Sequence, residues 1–338
     1  MGTSPLSAPI AVLGSGSWGT ALAIQFARAG KPTRLWGRDA AQLADMRATR
    51  CNRRYLPDAL FPANLEVAES LDGALNGVSD VLVAVPSSGF RPLLGALASR
   101  LTPDVRVAWA TKGFERDTGL LPHQVARDAL GAGYITAVLS GPTFAREVGA
   151  GLPTAMVVAS TDEAFAMRVA EDLASPGFRT YVSTDIMGVE IGGAVKNVIA
   201  IGAGLSDGLG FGANMRVALI TRGLHEMTRL GMAQGARERT FMGLAGLGDL
   251  VLTSTDDQSR NRRCGLALAR GITVDEAMRE IGQVVEGYHA ARVLRAVAAR
   301  LKLDLPICEG LCRILFDAAN ARDVVRNLMG RPPQAEFE

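Results

Sequence analysis

The stretch from residue 10 to residue 30, IAVLGSGSWGTALAIQFARAG, constrains the fold of this chain more than any other. A short β-branched run comes first, then Gly14, Gly16 and Gly19 in G-x-G-x-x-G spacing, then a helical pattern stopped by Gly30. The motif alone is weak. Between a strand and a helix it marks a dinucleotide-binding turn, because the glycines make the bend and let a pyrophosphate approach the helix N-terminus. A glycine turn in an unrelated α/β unit is the plainer alternative.

The second strand, Thr33–Trp36, ends where an acidic residue would meet the ribose 2′-hydroxyl of NAD. Here Gly37 and Arg38 follow instead. A guanidinium at that place favours a 2′-phosphate and can stack on adenine, so NADP is expected, while Asp39 keeps NAD open. Solvated surface is the other reading of Arg38. Further strands are expected at 65–67, 81–85, 105–110, 135–139, 155–159 and 179–182, with helical patterns between several of them. The implied fold class is α/β: an N-terminal Rossmann-type doubly wound sheet, then an all-helical C-terminal domain. The division is placed at 1–188 and 189–338, and the helical patterns fall at 214–229, 261–270, 273–281, 288–300 and 308–320.

At the joint lies VEIGGAVKNVIAIGAGLSDG, residues 189–208, a helix-length apolar run interrupted by Lys196 and Asn197. An ammonium in apolar surroundings is costly unless it has a partner or titrates, and lysine can lose its proton where arginine cannot. Of 36 basic residues only Lys31, Lys112, Lys196 and Lys302 are lysines, which sets Lys196 apart as a candidate proton donor. Its helical neighbours Gly192, Gly193 and Ala200 are small, so the amine is expected to border open space suited to a substrate. The alternative is a packing surface with Lys196 paired to a residue such as Glu190. Thr184 and Asp185 read as the N-cap of this helix.

Three other segments offer polar groups. Lys112, in Thr111-Lys112-Gly113 after a strand, is placed to meet a phosphate, or is a surface lysine. In SGPTFAREV, Gly141 and Pro142 break the chain and Thr143 can cap the short helix that follows, whose free amides hold an anion or merely start the helix. In FMGLAGLGDLVLTSTDDQSRNRR, Asp249 sits in an apolar stretch and needs a buried partner, for which Lys196 is the obvious amine. Ser259 reads as an N-cap with Arg260 and Asn261 in the first turn. Arginine is unfavourable there against the helix dipole unless an anion is bound. Arg262 and Arg263 read as surface or helix-side groups.

Composition excludes several classes. A length of 338 residues, 48% hydrophobic and 21% charged, fits two globular cores, and a net charge of +2 gives no field for nucleic acid. Cys51, Cys264, Cys308 and Cys312 show no C-x-x-C pairing, no signal peptide is read, and reduced thiols in a cytoplasmic protein follow. His123, His225 and His289 lack metal-ligand spacing. Leu6 stands where a myristoylation signal wants Ser or Thr, and no stretch is read as long and apolar enough to span a bilayer, so no membrane anchor is expected.

With these motifs in hand, the chain resembles the bacterial NAD(P)-dependent glycerol-3-phosphate dehydrogenases over about residues 10–320. It matches in order GSGSWGTALA, NRRYLP, TKGF, GPTFAREV, VEIGGAVKNVIAIGAGLSDGLGFGANMRVALITRG, GLAGLGDLVLTST, SRNRR and VVEG. The resemblance implies reversible hydride transfer between NAD(P)H and dihydroxyacetone phosphate, supplying glycerol 3-phosphate for phospholipid synthesis. It implies Lys196 as general acid, oriented by Asn197 and Asp249 with Thr253 nearby. Lys112, Gly141, Thr143, Ser259, Arg260 and Asn261 would hold the substrate, and Ser17, Trp18, Arg38, Lys112, Ala145, Arg260, Val284 and Glu286 would line NADP or NAD. A homodimer is the assembly it leaves open. Thr143 stands where the family usually has serine, keeping the hydroxyl and adding a methyl that could move substrate affinity, and Ser254 where it has cysteine. A dehydrogenase of 6-phosphogluconate type also joins a Rossmann domain to helices, but the Asp249 and Arg260 blocks argue against it. A silent NADP sensor would need no lysine, acid and phosphate clamp together.

Overall fold

The computed structural model describes residues 8–333, 335 and 336. The N-terminal stretch containing Leu6 lies outside them. Ten strands are present among the described residues: β1 (Ile10–Leu13), β2 (Thr33–Trp36), β3 (Cys51–Asn52), β4 (Leu56–Leu60), β5 (Leu65–Val67), β6 (Asp80–Val83), β7 (Arg106–Trp109), β8 (Thr136–Ser140), β9 (Thr154–Ser160) and β10 (Phe178–Ser183). Eight form one sheet in the order β10-β9-β8-β7-β6-β1-β2-β5, and β3 and β4 make a separate hairpin that the sequence reading lacked. Every pairing in the large sheet is parallel except β8 with β9.

The inner strands are continuous apolar runs such as Ile10–Leu13, because helices cover both faces. One face packs Phe26, Leu35 and Phe165, the other Phe90, Leu97 and Trp109. The chain goes from β1 to β2 on one side and returns to β6 on the other, so the strand order reverses between β1 and β6. Ligands of such sheets bind outside the carboxyl ends of the strands at that reversal. There the glycine turn leaves β1.

After β10 the described elements are helices. The first, Ile186–Gly208, is capped by Asp185, whose side chain accepts from Gly188 N at 2.9 Å, and is buried along almost its whole length. A helix apolar all round must be enclosed, and here Met227, Leu250, Leu294 and Leu311 belong to the cluster around it. Contrary to the sequence reading, it is long and apolar enough to cross a membrane by those measures alone, at 23 residues and a mean hydropathy of 1.4, but 94% of that window is buried inside the protein.

Backbone meets backbone where this helix crosses the helix Arg260–Ala269. A Cβ at Gly204 would stand 2.0 Å from Arg262 O, and one at Gly265 would stand 2.0 Å from Ile201 O. That approach brings the start of the second helix to the middle of the first. It also buries Arg262, which was expected at the surface: its guanidinium pairs with Asp207 Oδ2 at 2.5 Å and Asp257 Oδ1 at 2.9 Å. Arg263 is exposed as expected.

Candidate active site

Lys196 lies in the middle of the buried helix, with 8% of its side chain exposed. Its ammonium donates to Asp249 Oδ1 and, at 3.0 Å, to Thr253 Oγ1. The other oxygen of Asp249 accepts from Lys112 Nζ at 2.7 Å, which also reaches Gly141 O at 3.4 Å. Two of the four lysines in the chain thus converge on one carboxylate that is 1% exposed.

Each partner comes from a different element. Lys112 follows β7, Gly141 follows β8, and Asp249 opens the helix Asp249–Thr255 directly after a π-helical turn, Leu244–Gly248. Thr253 stands one turn after Asp249 on the same face and donates to its Oδ1 at 3.3 Å. Gly141 adopts φ +146°, a region that favours glycine, and its carbonyl also accepts from Thr143 Oγ1 at 3.2 Å. Thr143 therefore does not cap the helix Ala145–Ala150; Phe144 holds the N-cap position without a side-chain bond.

Burial pushes the Lys196 ammonium down to about 7; the Asp249 carboxylate opposes this and the Lys112 charge adds to it. Burial alone would raise Asp249, but the two ammonium groups outweigh it and hold the carboxyl below its ordinary value. The result is an amine that changes protonation near neutrality beside a second cation.

The small residues around Lys196 serve packing rather than open space. A Cβ at Gly192 would stand 2.4 Å from Ala245 O, and one at Gly193 would meet the Lys112 stem and Ser140 Oγ, each at 3.4 Å. The glycines let the π-helical turn and Lys112 close on the helix. Glu190 does not pair with Lys196; it accepts from Trp109 Nε1 at 2.8 Å and from His123 N at 2.9 Å, with His123 Nδ1 at 2.5 Å.

No hydrogen bond joins the Asn197 side chain to the Lys196 ammonium, so the orienting role expected of Asn197 is not carried by a direct bond. Its Nδ2 donates to Gly193 O at 3.1 Å, and its Oδ1 accepts from Asn261 Nδ2 at 2.8 Å. Asn261 Oδ1 in turn accepts from Gly287 N at 2.9 Å, so both expected site asparagines fasten three helices together. Ser259 is the N-cap expected of it, accepting from Arg262 N at 3.2 Å. Arg260 is half-buried at the first position of its helix; among the described residues it makes one 3.4 Å bond, to Gln283 Oε1, and burial lowers its pKa. The rest of its donor fork is available to an anion.

Sequence reasoning missed what Glu286 does across the cleft. Its carboxylate accepts from Ser87 Oγ at 2.9 Å and Ser87 N at 3.4 Å, capping the first turn of the helix Ser87–Ala98 from the helical half. The Pro86-Ser87-Ser88 loop at the carboxyl end of β6 was the available signal. Val284, two residues before, is 37% exposed.

The nucleotide turn has the shape a pyrophosphate needs. Gly14 adopts φ +129°, a Cβ at Gly19 would stand 1.9 Å from Gly14 O, and a Cβ at Gly16 would meet nothing within 4 Å. The first two hold the turn against the sheet and helix; the third leaves backbone open at the start of the helix Ser17–Arg28. Trp18 packs on the core with its Nε1 buried and unpartnered. Arg38 is exposed at the end of β2, and Asp39 is occupied as N-cap of the helix Ala40–Thr49, accepting from Gln42 N at 3.1 Å. The open backbone of this turn fits a dinucleotide pyrophosphate.

Known proteins resemble this chain along most of its length. The family model described as the N-terminus of NAD-dependent glycerol-3-phosphate dehydrogenase matches residues 9–166, and that of the C-terminus residues 185–326. A glycerol-3-phosphate dehydrogenase (NAD(P)+) of Thioalkalivibrio sulfidiphilus is 55% identical over 97% of this chain and 99% of its own length. One of Nitrosococcus oceani is 55% identical over 96% and 95%. The crystal structure of glycerol-3-phosphate dehydrogenase from Coxiella burnetii superposes with a TM-score of 0.93 at 44% identity, covering 97% of this chain and all of that one. The two matched halves and these relatives place this chain in the NAD-dependent glycerol-3-phosphate dehydrogenase family.

Proposed function

We propose that the protein interconverts dihydroxyacetone phosphate and sn-glycerol 3-phosphate with NAD(P)H, as a family member should. The observation that carries the mechanism is the Asp249 carboxylate shared by Lys196 and Lys112. A dinucleotide held by its pyrophosphate at the β1 turn would supply the hydride from its nicotinamide. Lys196 then gives its proton to the substrate oxygen, and in reverse the neutral amine takes it back; a pKa of about 7 suits both directions.

Asp249 and Thr253 fix the amine so that one N–H remains for the substrate oxygen, since an ammonium has three and two are used. Lys112, with Gly141 and Thr143, and the Ser259-Arg260-Asn261 helix start would hold the substrate from opposite walls. Arg38 would meet the 2′-phosphate, Glu286 would fix the cleft beside Val284, and Ala145 would close it from the SGPTFAREV turn. In this reading residues 1–188 carry the cofactor and 189–338 the proton chemistry.

The four cysteines are all buried and unpaired, which supports a reducing, cytoplasmic setting. The product would feed phospholipid synthesis, and a homodimer is the proposed assembly. The test is a spectrophotometric assay of NADPH and NADH oxidation with dihydroxyacetone phosphate. Turnover with that substrate supports the reading; none with either cofactor, beside good turnover of 6-phosphogluconate with NADP, would move the chain to the other dehydrogenase class.

A further inference from the structure

A cavity of about 480 Å³ borders the π-helical turn through Leu244 and Ala245, and none of Lys112, Lys196, Asp249 and Thr253 lines it. That volume is within the range of small-ligand sites. Its apolar wall includes Val157, Ala166, Val189 and Leu244, and its rim carries Arg237 and Arg239, with Glu163 the one carboxylate. Arg237 gives its backbone N–H to Asp185 Oδ2 at 2.9 Å, but among the described residues neither its guanidinium nor that of Arg239 has a partner. Two free planar forks above an apolar wall suit an anion that presents several oxygens and trails hydrocarbon.

The same wall backs onto the catalytic groups. Ala245 lines the cavity, and its carbonyl is the atom that packs against Gly192 of the buried helix. A Cβ at Gly246 would stand 2.1 Å from Phe241 O, so the turn is held tightly on that side as well. Val189 lies two turns before Lys196 on the same helix face. Asp249 is the residue directly after the turn. A packed element between two spaces transmits displacement instead of absorbing it, and π-helical turns of this kind are frequent at functional sites.

We propose that this cavity is a second ligand site, for a phosphomonoester with an apolar tail, and that its occupant acts on turnover through the Leu244–Gly248 turn and Asp249. Arg237 and Arg239 take the phosphate, Glu163 sets the limit on how many negative charges the rim accepts, and Val182 and Met167 flank the tail. The substrate of the proposed reaction has no such tail, which separates this site chemically from the cage.

The test is calorimetry on the full chain with octyl phosphate, using inorganic phosphate and octyl glucoside as head-only and tail-only probes, followed by steady-state kinetics. Octyl phosphate should bind one per chain, tighter than either control, without competing with dihydroxyacetone phosphate, and should change kcat. The double variant Arg237→Ala/Arg239→Ala should lose at least tenfold in affinity while keeping the probe-free kcat. Val182→Asp, at an exposed position, should weaken binding by like-charge repulsion and leave folding intact. Absence of saturable binding, equal affinity in the double variant, competition with substrate, or a dimer interface covering the rim would each overturn the proposal. The binding readout stands whether or not the proposed reaction does, so the two can fail separately.

Discussion

The Lys196 ammonium donates to Oδ1 of Asp249, a carboxylate 53 positions later in the chain and enclosed on every side. Neither charge would be stable there alone, and the pair ties the apolar helix to the π-helical turn. The cost of burying the amine appears as its lowered affinity for a proton.

That lowered affinity fixes the pH dependence. Reduction needs protonated Lys196, so kcat for dihydroxyacetone phosphate should fall as pH rises through about 7, while glycerol 3-phosphate oxidation should rise over the same interval. The folded pKa lies below the ordinary 10.5, so the unfolded chain holds more protons between these values and stability should gain with pH across that window. Asp249→Asn removes the charge that raises Lys196. Its rate break should move to lower pH, and its unfolding free energy should drop by about 3–5 kcal/mol, as for a buried pair stripped of one partner. Profiles with unmoved breaks would contradict this.

Arg38 should discriminate between the cofactors. Its guanidinium is exposed at the end of β2, and a hydrogen bond to a charged group is worth about 1.5–3 kcal/mol. Arg38→Ala should therefore weaken NADPH binding by roughly tenfold or more and NADH far less. Fluorescence titration of both cofactors measures it; equal losses would mean that Arg38 only stacks on adenine.

Arg260→Lys keeps a charge at the helix start but loses the planar fork. We expect the Michaelis constant for the phosphate-bearing substrate to rise about tenfold or more, with kcat changed less. Initial rates against substrate concentration decide it, and a pure kcat loss would place Arg260 elsewhere.

Gly204→Ala tests the helix crossing. The new methyl would stand 2.0 Å from Arg262 O, a backbone atom that cannot swing away. Overpacking of this kind costs about 1–3 kcal/mol, and the shifted crossing should also loosen the Asn197–Asn261 bond. Thermal unfolding with substrate kinetics reports both effects, and an unchanged midpoint would show that the crossing yields to an added methyl.

Most strands were legible from short apolar runs, and the change to helices after β10 from the point where such runs stop. Lys196 with Asp249 could be paired from burial cost alone, because each needed the other. The β3–β4 hairpin was not legible, since Cys51–Asn52 is too short to show alternation. Asn197 misled because adjacency to Lys196 in sequence is a 100° rotation on a helix, which turns its side chain to Asn261. Arg262 looked solvated until Asp207, from the long buried helix, and Asp257, from the turn before its own helix, closed on it. Gly192 and Gly193 were read as room for a substrate, yet glycine marks close backbone approach equally well, and only the fold says what approaches.

The most direct test of the account is Lys196→Arg in a single-turnover experiment, with NADPH bound before dihydroxyacetone phosphate is mixed in. Arginine keeps the charge but has no proton to give in the working range, and its planar head must crowd Thr253 and Asp249. NADPH should bind as in the parent chain while the hydride-transfer rate falls by about 10²–10⁴-fold, the usual contribution of a general acid. A variant that keeps a large share of that rate, or fails only because NADPH no longer binds, would contradict proton transfer by Lys196 and turn attention to Lys112.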